Sequence, residues 1–280
     1  MRMPRTYLSF VGLLVLACLC WAGAAAKPPA VRSVDVIGTA FRVTFTDGRA
    51  LAGTDLQGAV LTLTLAGEAR PGRFRLDRIE RDPGNKDILL YRITVLATQA
   101  AETDHDLCEP DAQGERWAFP LKGQWDDGGR RLSEKGLTLA CAAGGAIGKC
   151  VRWGYPPWAR TPSGKAMAPY HAACVNMVRA NYCGDRGTTR DGMTVDYWDH
   201  AGITRADKDR AHDLGLRFEA AWSPQGALCV AHMRVPENMT LDQLARTCPR
   251  LRGRLGPAQC DAEAAAKGRY GRALLFNSSY

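Results

Sequence analysis

The cysteines constrain this chain more than any other feature of its sequence. Ten are present, and eight of them follow the N-terminal segment of residues 1–26. No Cys-x-x-Cys pair occurs, so the spacing typical of zinc ribbons and thioredoxin-like redox motifs is missing. We therefore predict that the eight cysteines form disulfides, with no metal site and no cofactor: Cys108, Cys141, Cys150, Cys174, Cys183, Cys229, Cys248 and Cys260.

The pairing of these cysteines is open, because eight cysteines allow about 105 connectivities. One local pair is predicted, Cys248 with Cys260, at the two ends of a short segment that contains Pro and Gly. Closing such a loop would add about 2–4 kcal/mol to the free energy of unfolding.

The N-terminal segment has the layout of a secretory signal peptide. Arg2 and Arg5 precede an apolar run at residues 8–21, and small residues follow at 22–26. We expect cleavage after residue 24, 25 or 26 and a secreted or periplasmic protein without a transmembrane span. A lipoprotein anchored through Cys18 is the alternative, but Leu16 is bulky for a lipobox and Cys20 would lose an obvious partner.

Charge and cysteine content divide the remaining chain in two. Residues 27–148 carry 16 Lys and Arg against 17 Asp and Glu, whereas residues 149–280 carry 19 against 12. We place the boundary near Gly144-Gly145, between a β-rich domain (27–145) and a cysteine-rich α+β domain (146–280). The basic second half could favour an anionic partner, although scattered basic residues more commonly form a solvated surface. Nothing in the sequence indicates nucleic-acid binding.

Residues 31–141 have the alternating pattern of β-strands. Phe41, Val43 and Phe45 alternate with polar residues ahead of Asp47-Gly48, which is a hairpin turn signal. Similar runs separated by Gly, Asp or Pro predict an antiparallel β-sandwich or small barrel, and the whole chain is α+β.

The second half combines helices with a hairpin. Pro169 opens a predicted helix that ends by residue 183, with Gly184 as its left-handed stop. A hairpin is predicted around Ser223-Pro224-Gln225-Gly226, and Thr240 and Gln243 form a capping box. Pro257 should open the last helix.

Aromatic and charged residues suggest a binding site between residues 149 and 199. Trp153, Tyr155 and Trp158 lie in a loop with Gly and Pro, where they could stack on a ligand or fill a core. His171, Arg190 and Asp191 complete the candidate binding set, because Arg suits carboxylate or phosphate recognition.

Two catalytic arrangements are weaker alternatives. Asp185, Asp191 and Asp196 could supply the two carboxylates of a hydrolase, but Asp191-Gly192 is also a turn signal. His171 and Cys174 share a helix face, but a Cys–His nucleophile requires a free thiolate, and export favours oxidation. No catalytic residue is therefore assigned.

Several linked motifs resemble one family. They are Lys149-Cys150-Val151-Arg152-Trp153-Gly154-Tyr155, Arg179-Ala180-Asn181-Tyr182-Cys183-Gly184-Asp185 and Thr189-Arg190-Asp191-Gly192. In this order they resemble the ADYC-domain family of exported bacterial proteins, named for an Ala-Asp-Tyr-Cys motif, over roughly residues 137–276. The resemblance implies no established activity.

One departure from the family motif bears on function. Asn181 stands where the motif has Asp, and an amide neither ionises at neutral pH nor binds hard cations strongly. The substitution favours a structural role for this position.

The sequence is therefore interpreted as an exported, disulfide-stabilised, non-catalytic binding or structural module of the cell envelope or extracellular space. Its partner would be an anionic envelope polymer or another envelope protein. A carboxylate-dependent hydrolase that acts on an envelope polymer is the alternative.

Overall fold

Antiparallel strands dominate the first part of the structure. The computed structural model describes residues 29–65, 68–99, 102–126 and 128–280, so the predicted signal at residues 1–26 lies outside the described residues. The strands before residue 145 are β1 (Val31–Ile37), β2 (Ala40–Phe45), β3 (Ala50–Ala52), β4 (Val60–Leu63), β5 (Gly72–Arg81), β6 (Leu89–Leu96), β7 (His105–Asp106), β8 (Trp117–Trp125) and β9 (Arg131–Cys141).

These strands form two sheets around one core. One sheet has the order β1-β2-β3, and the other has the order β4-β5-β6-β8-β9, with β7 paired to β6. The predicted hairpin at Asp47-Gly48 joins β2 to β3. Phe41 of the first sheet packs edge-on against Tyr91 of the second at 5.5 Å between ring centroids, and its N–H donates to Tyr91 Oη. The sandwich-like arrangement predicted from alternation is therefore present.

The part after residue 145 mixes short helices with one more sheet. Its elements are α1 (Ala146–Arg152), α2 (Ala168–Val178), β10 (Val195–Asp199), α3 (Lys208–Asp213), β11 (Arg217–Ser223), β12 (Gly226–Val230), α4 (Leu241–Thr247), α5 (Ala262–Ala266) and β13 (Leu275–Ser279). The sheet has the order β10-β13-β11-β12, and every neighbouring pair is antiparallel. The α+β class predicted for the chain is confirmed.

Local signals place several of these elements correctly. The hairpin at residues 223–226 joins β11 to β12, and Thr240 and Gln243 form both bonds of the capping box of α4. The last helix starts later than predicted, at Ala262, because Asp261 accepts from the Ala264 N–H and caps it. The first left-handed residue after α2 is Ala180, with φ of 47°, because the helix already ends at Val178. Gly184, the predicted stop, also has a positive φ, of 88°, but it lies in the turn that follows.

The two cores meet at α1. Val151 belongs to the core of the first two sheets, whereas its neighbour Cys150 belongs to a second core built from α2 and the last sheet. The turn between β8 and β9 packs closely against α2. Gly129 in this turn lies so near Val175 of α2 that an added Cβ would overlap the valine side chain. The division into domains at residue 145 remains a prediction, and the parts are in close contact.

Four disulfides cross-link the described chain. They join Cys108 to Cys141, Cys150 to Cys174, Cys183 to Cys248, and Cys229 to Cys260. The predicted Cys248–Cys260 pair is wrong. The segment between these cysteines does not close on itself but runs along β12, where the Val230 N–H donates to Arg254 O and the Gly256 N–H donates to Val230 O.

No helix in the described ranges has both the length and the apolar character to cross a membrane.

Candidate functional site

A cleft of about 710 Å³ forms a candidate site in the described structure. One wall consists of Thr138–Cys141 at the end of β9 together with residues 144–149 of α1 and its approach. A second part of the lining consists of residues 189–195, the loop that leads into β10. The cleft therefore lies where the N-terminal sheet meets the C-terminal part.

Three of the six predicted binding residues line this cleft: Trp153, Arg190 and Asp191. Trp153 follows α1 directly, where its N–H donates to Lys149 O. Its ring stacks on Tyr197 of β10, with 4.5 Å between centroids and 19° between planes. This contact supports one face of the indole at the edge of the cleft.

The cleft carries an excess of positive charge. Lys149, Arg179, Arg190, Arg210 and Arg234 line it, against Asp126 and Asp191. Sequence analysis singled out neither Lys149 nor Arg210. The excess of basic residues after residue 149 was the available signal, but it does not show which of them share a cleft.

Several of the charged residues in the cleft already have partners. Arg234 Nε lies 2.9 Å from Glu219 Oε2, and Asp126 Oδ2 lies 3.1 Å from Arg130 Nε. Within the described ranges, Lys149, Arg190 and Arg210 form no salt bridge. These three cations can therefore offer hydrogen bonds and charge to an anion that enters the cleft.

Tyr155 and His171 are fully buried and do not line the cleft. Tyr155 Oη donates to Asp199 Oδ2 at 2.9 Å, and burial raises the pKa of the phenol. His171 Nδ1 lies 2.8 Å from Tyr155 O and donates to it, because a carbonyl can only accept. Burial lowers the pKa of His171 to about 4, which keeps the ring neutral near pH 7. Both residues serve as core in this structure.

Trp158 is 45% exposed and lines a separate cavity of about 370 Å³. Its indole lies against Gly38, at the N-terminal part, and Trp125 lines the same cavity. The aromatic loop is therefore split: Trp153 lines the cleft, Tyr155 is core, and Trp158 lines another surface.

The acidic residues of the hydrolase hypothesis do not meet in the cleft. Of Asp185, Asp191 and Asp196, only Asp191 lines it. Asp185 accepts from the Arg186 N–H, and Asp196 accepts from the Asp207 N–H. Asp199 accepts four hydrogen bonds, from Tyr155 and from the N–H groups of residues 201, 203 and 204. Most of these carboxylates therefore accept backbone hydrogen bonds that form turns and loops.

Cys174 is bonded to Cys150, so it is not a free thiolate beside His171. Among the described residues, no group of three or more His, Cys, Asp or Glu side chains could hold a metal ion.

The Ala180–Asp185 motif builds a buried hydrogen-bond network and not an open site. Tyr182 Oη donates to Glu219 Oε1 at 2.9 Å and accepts from the Arg234 N–H at 3.0 Å. Glu219 Oε2 accepts from Arg234 Nε and from Asn277 Nδ2 at 2.7 Å. Arg234 also donates to Met177 O and Val178 O at the end of α2. The network joins α2, β11 and β13 around one buried ion pair.

Charge within this network is compensated. Burial alone would raise the pKa of Glu219, but the Arg234 guanidinium and its hydrogen bonds hold that pKa below its ordinary value. Burial of Tyr182, next to the charge of Glu219, raises the pKa of the phenol well above its ordinary value. Sequence analysis missed this network. The available signal was a Glu and an Arg, each inside an apolar run, at positions 219 and 234.

Asn181 has a structural environment. Its Oδ1 accepts from the N–H groups of Gly184 and Arg186, and its Nδ2 donates to Asn176 Oδ1 at 3.0 Å. Because the side chain is buried and bonded on both sides, it shapes the turn after α2.

Comparison with known proteins is consistent with these motifs. No curated protein and no solved structure matches the chain. The model of the ADYC domain matches residues 53–236. The match starts earlier than the resemblance seen in the motifs, within the β-rich part, and ends before Cys248. It covers more than half of the chain and includes the cleft, the Ala180–Asp185 turn and the Glu219–Arg234 pair, so this protein belongs to the ADYC domain family.

Proposed function

We propose that this protein is an exported, non-catalytic binding module of the cell envelope or extracellular space, and that its cleft binds an anionic partner. The observation that carries the proposal is a set of three cations, Lys149, Arg190 and Arg210, that share one cleft of about 710 Å³ and form no salt bridge with the residues that the structure describes. Four disulfides support export, because such bonds persist in oxidising compartments.

The cleft supports binding better than hydrolysis. A hydrolase of the proposed kind needs two carboxylates in one open site, and Asp185 and Asp196 lie outside the cleft. The carboxylate of Asp126 is engaged by Arg130. Cations and an aromatic wall are the groups that recognise an anion without changing it.

Charge reversal in the cleft tests the proposal. The double variant Arg190→Glu and Arg210→Glu should bind polyglutamate, polygalacturonate or vesicles that contain an anionic phospholipid at least about tenfold more weakly than the wild type, because two attractive contacts become repulsive. Binding is measured by anisotropy or co-sedimentation at fixed salt, since the affinity of exposed charges depends on ionic strength.

The matched control is Arg269→Glu with Arg272→Glu. It changes the net charge equally, and both arginines are exposed residues outside the cleft. The control should bind these probes as tightly as the wild type. Equal loss in the two double variants would assign binding to overall charge, and failure of the wild type to bind any of the three probes would also overturn the proposal.

A further inference from the structure

The outer edge of β9 offers more than charge to a ligand. β9 is the last strand of its sheet, so only β8 pairs with it. The first half of β9 contains Arg131, Glu134 and Lys135, and charged side chains of this kind discourage addition of another strand. The second half, Leu137 to Cys141, carries no charge, and its last four residues line the cleft.

The register shows which backbone groups face outward. Ala118 pairs with Cys141, Phe119 with Ala140, and Pro120 with Leu139. The Ala142 N–H donates to Trp117 O at 2.8 Å, so the even-numbered residues of this half bond towards β8. The N–H and C=O groups of Leu139 therefore point away from β8, because Leu139 and Pro120 form a non-hydrogen-bonded pair.

Leu139 is half-buried and lines the cleft. In the described part of the chain, no backbone group outside the sheet bonds to its outward N–H and C=O groups. The next outward carbonyl, of Cys141, is covered by α1, since a Cβ at Gly148 would overlap it. The free edge is therefore centred on Leu139, within the cleft.

The charge of the cleft specifies the charge of an added strand. Arg190, Arg210 and Lys149 line the same cleft as the end of β9. The residues Thr138–Cys141 extend over about 14 Å, and within them Leu139 supplies the outward backbone groups with which a short extended peptide can pair.

We propose that an extended acidic segment of a partner protein binds in the cleft as an additional strand on β9, with backbone hydrogen bonds to Leu139 and carboxylates on Arg190 and Arg210. The inference rests on the proposed function and narrows its anionic partner to an acidic polypeptide.

Two substitutions separate strand pairing from charge. Leu139→Pro removes the outward N–H without removing a hydrogen bond to β8, and Pro is tolerated on edge strands. Leu139→Ala is the matched control, because it loses the same leucine side chain but keeps the N–H. The probe is a labelled mixture of eight-residue peptides with Glu at alternate positions and random residues between them.

We expect Leu139→Pro to bind the mixture at least about tenfold more weakly than Leu139→Ala, because the two variants lack the same side chain and differ in the outward N–H. Hydrogen exchange of the Leu139 amide should slow when the peptides bind. Thermal unfolding and disulfide mapping show whether the Pro variant is folded.

A peptide variant keeps the test decisive if Leu139→Pro does not fold. One bound peptide is resynthesised with N-methyl groups on its odd-numbered or on its even-numbered residues. Because successive N–H groups of a strand point to opposite sides, one version should retain binding to the wild type and the other should lose it.

Three outcomes would overturn the strand proposal: equal binding of both methylated peptides, unchanged binding to a folded Leu139→Pro, or binding of polygalacturonate or anionic vesicles with no peptide bound. In the last case the proposal that the cleft binds an anionic partner still holds. Failure of every anionic probe overturns the proposed function as well.

Discussion

Asn181 shows how one side chain fixes the turn after α2. An Asp at this position would still accept from the N–H groups of Gly184 and Arg186, but it could not donate to Asn176 Oδ1. Asn176 cannot rotate its amide without cost, because its Nδ2 donates to the carbonyl oxygens of Ser223 and Pro224.

We therefore predict that Asn181→Asp lowers the free energy of unfolding by about 1–2 kcal/mol at pH 7, since it places two acceptor oxygens together. Asn181→Ala should cost more, because it leaves two backbone N–H groups without an acceptor. Urea unfolding with the disulfides intact measures both values. An Asp variant as stable as the wild type would contradict this account of residue 181.

His171 should make stability depend on pH. Its pKa is lowered to about 4 by burial, whereas the unfolded chain has the ordinary value of 6.5. Below pH 6.5 the unfolded state binds a proton that the folded state excludes. The contribution of neutral His171 to the free energy of unfolding should therefore be fully present above pH 6.5. As the pH falls towards 4, the free energy of unfolding should decrease by up to about 3 kcal/mol.

The comparison is with His171→Gln, which does not titrate in this range. Denaturant unfolding of both proteins between pH 7 and pH 5 isolates the histidine, because most carboxylates titrate lower. Parallel pH profiles of the two proteins would exclude His171 as the cause.

At the scale of elements, the Glu219–Arg234 pair holds α2 against the last sheet. Both side chains are almost fully buried, so removing one charge leaves the other without compensation. Glu219→Gln should lower the free energy of unfolding by about 3–5 kcal/mol.

The double variant Glu219→Met with Arg234→Met provides the control. Its cost should be smaller than the sum of the two single variants, because no buried charge is left alone. Additive costs in this cycle would show that the residues act independently.

Elements specified by neighbouring residues could be predicted from the sequence. Asp47-Gly48, Ser223 to Gly226 and the Thr240 capping box each carry their signal within a few positions, and the structure forms the two hairpins and the cap. The predicted pair of Cys248 with Cys260 was wrong because it assumed that short separation implies contact.

The candidate site could be predicted only in part. Trp153, Arg190 and Asp191 share a cleft, but Lys149 and Arg210 join them through packing between distant segments. Tyr155 and His171 are in the core, where Tyr155 bonds to Asp199 of β10 and His171 packs against Trp125 of β8. No local pattern encodes contacts between such distant segments. The binding role of all these residues remains a prediction.

Across the whole molecule, the disulfides differ in the length of chain that they close. Cys183–Cys248 spans 65 residues, whereas Cys150–Cys174 spans 24. By loop-closure entropy, replacing both cysteines of the longer pair with Ser should lower the free energy of unfolding by about 4 kcal/mol, and of the shorter pair by about 3 kcal/mol. Guanidinium unfolding of the two variants measures the order, and the reverse order would contradict it.

The disulfide pattern also sets an order for oxidation if the proposed export delivers the chain to an oxidising compartment N-terminus first. Cys108–Cys141 and Cys150–Cys174 each join cysteines that are consecutive among the eight disulfide-bonded cysteines, so each can close as soon as its second thiol arrives. The last two pairs interleave, since Cys229 lies between Cys183 and Cys248. When Cys229 emerges, the nearest free thiol is Cys183, which is a non-native partner. Correct closure therefore has to wait for residues 248 and 260, or depend on thiol exchange that undoes the early bond. A chain truncated between Cys248 and Cys260 would lack the native partner of Cys229 and would leave Cys229 with a free thiol.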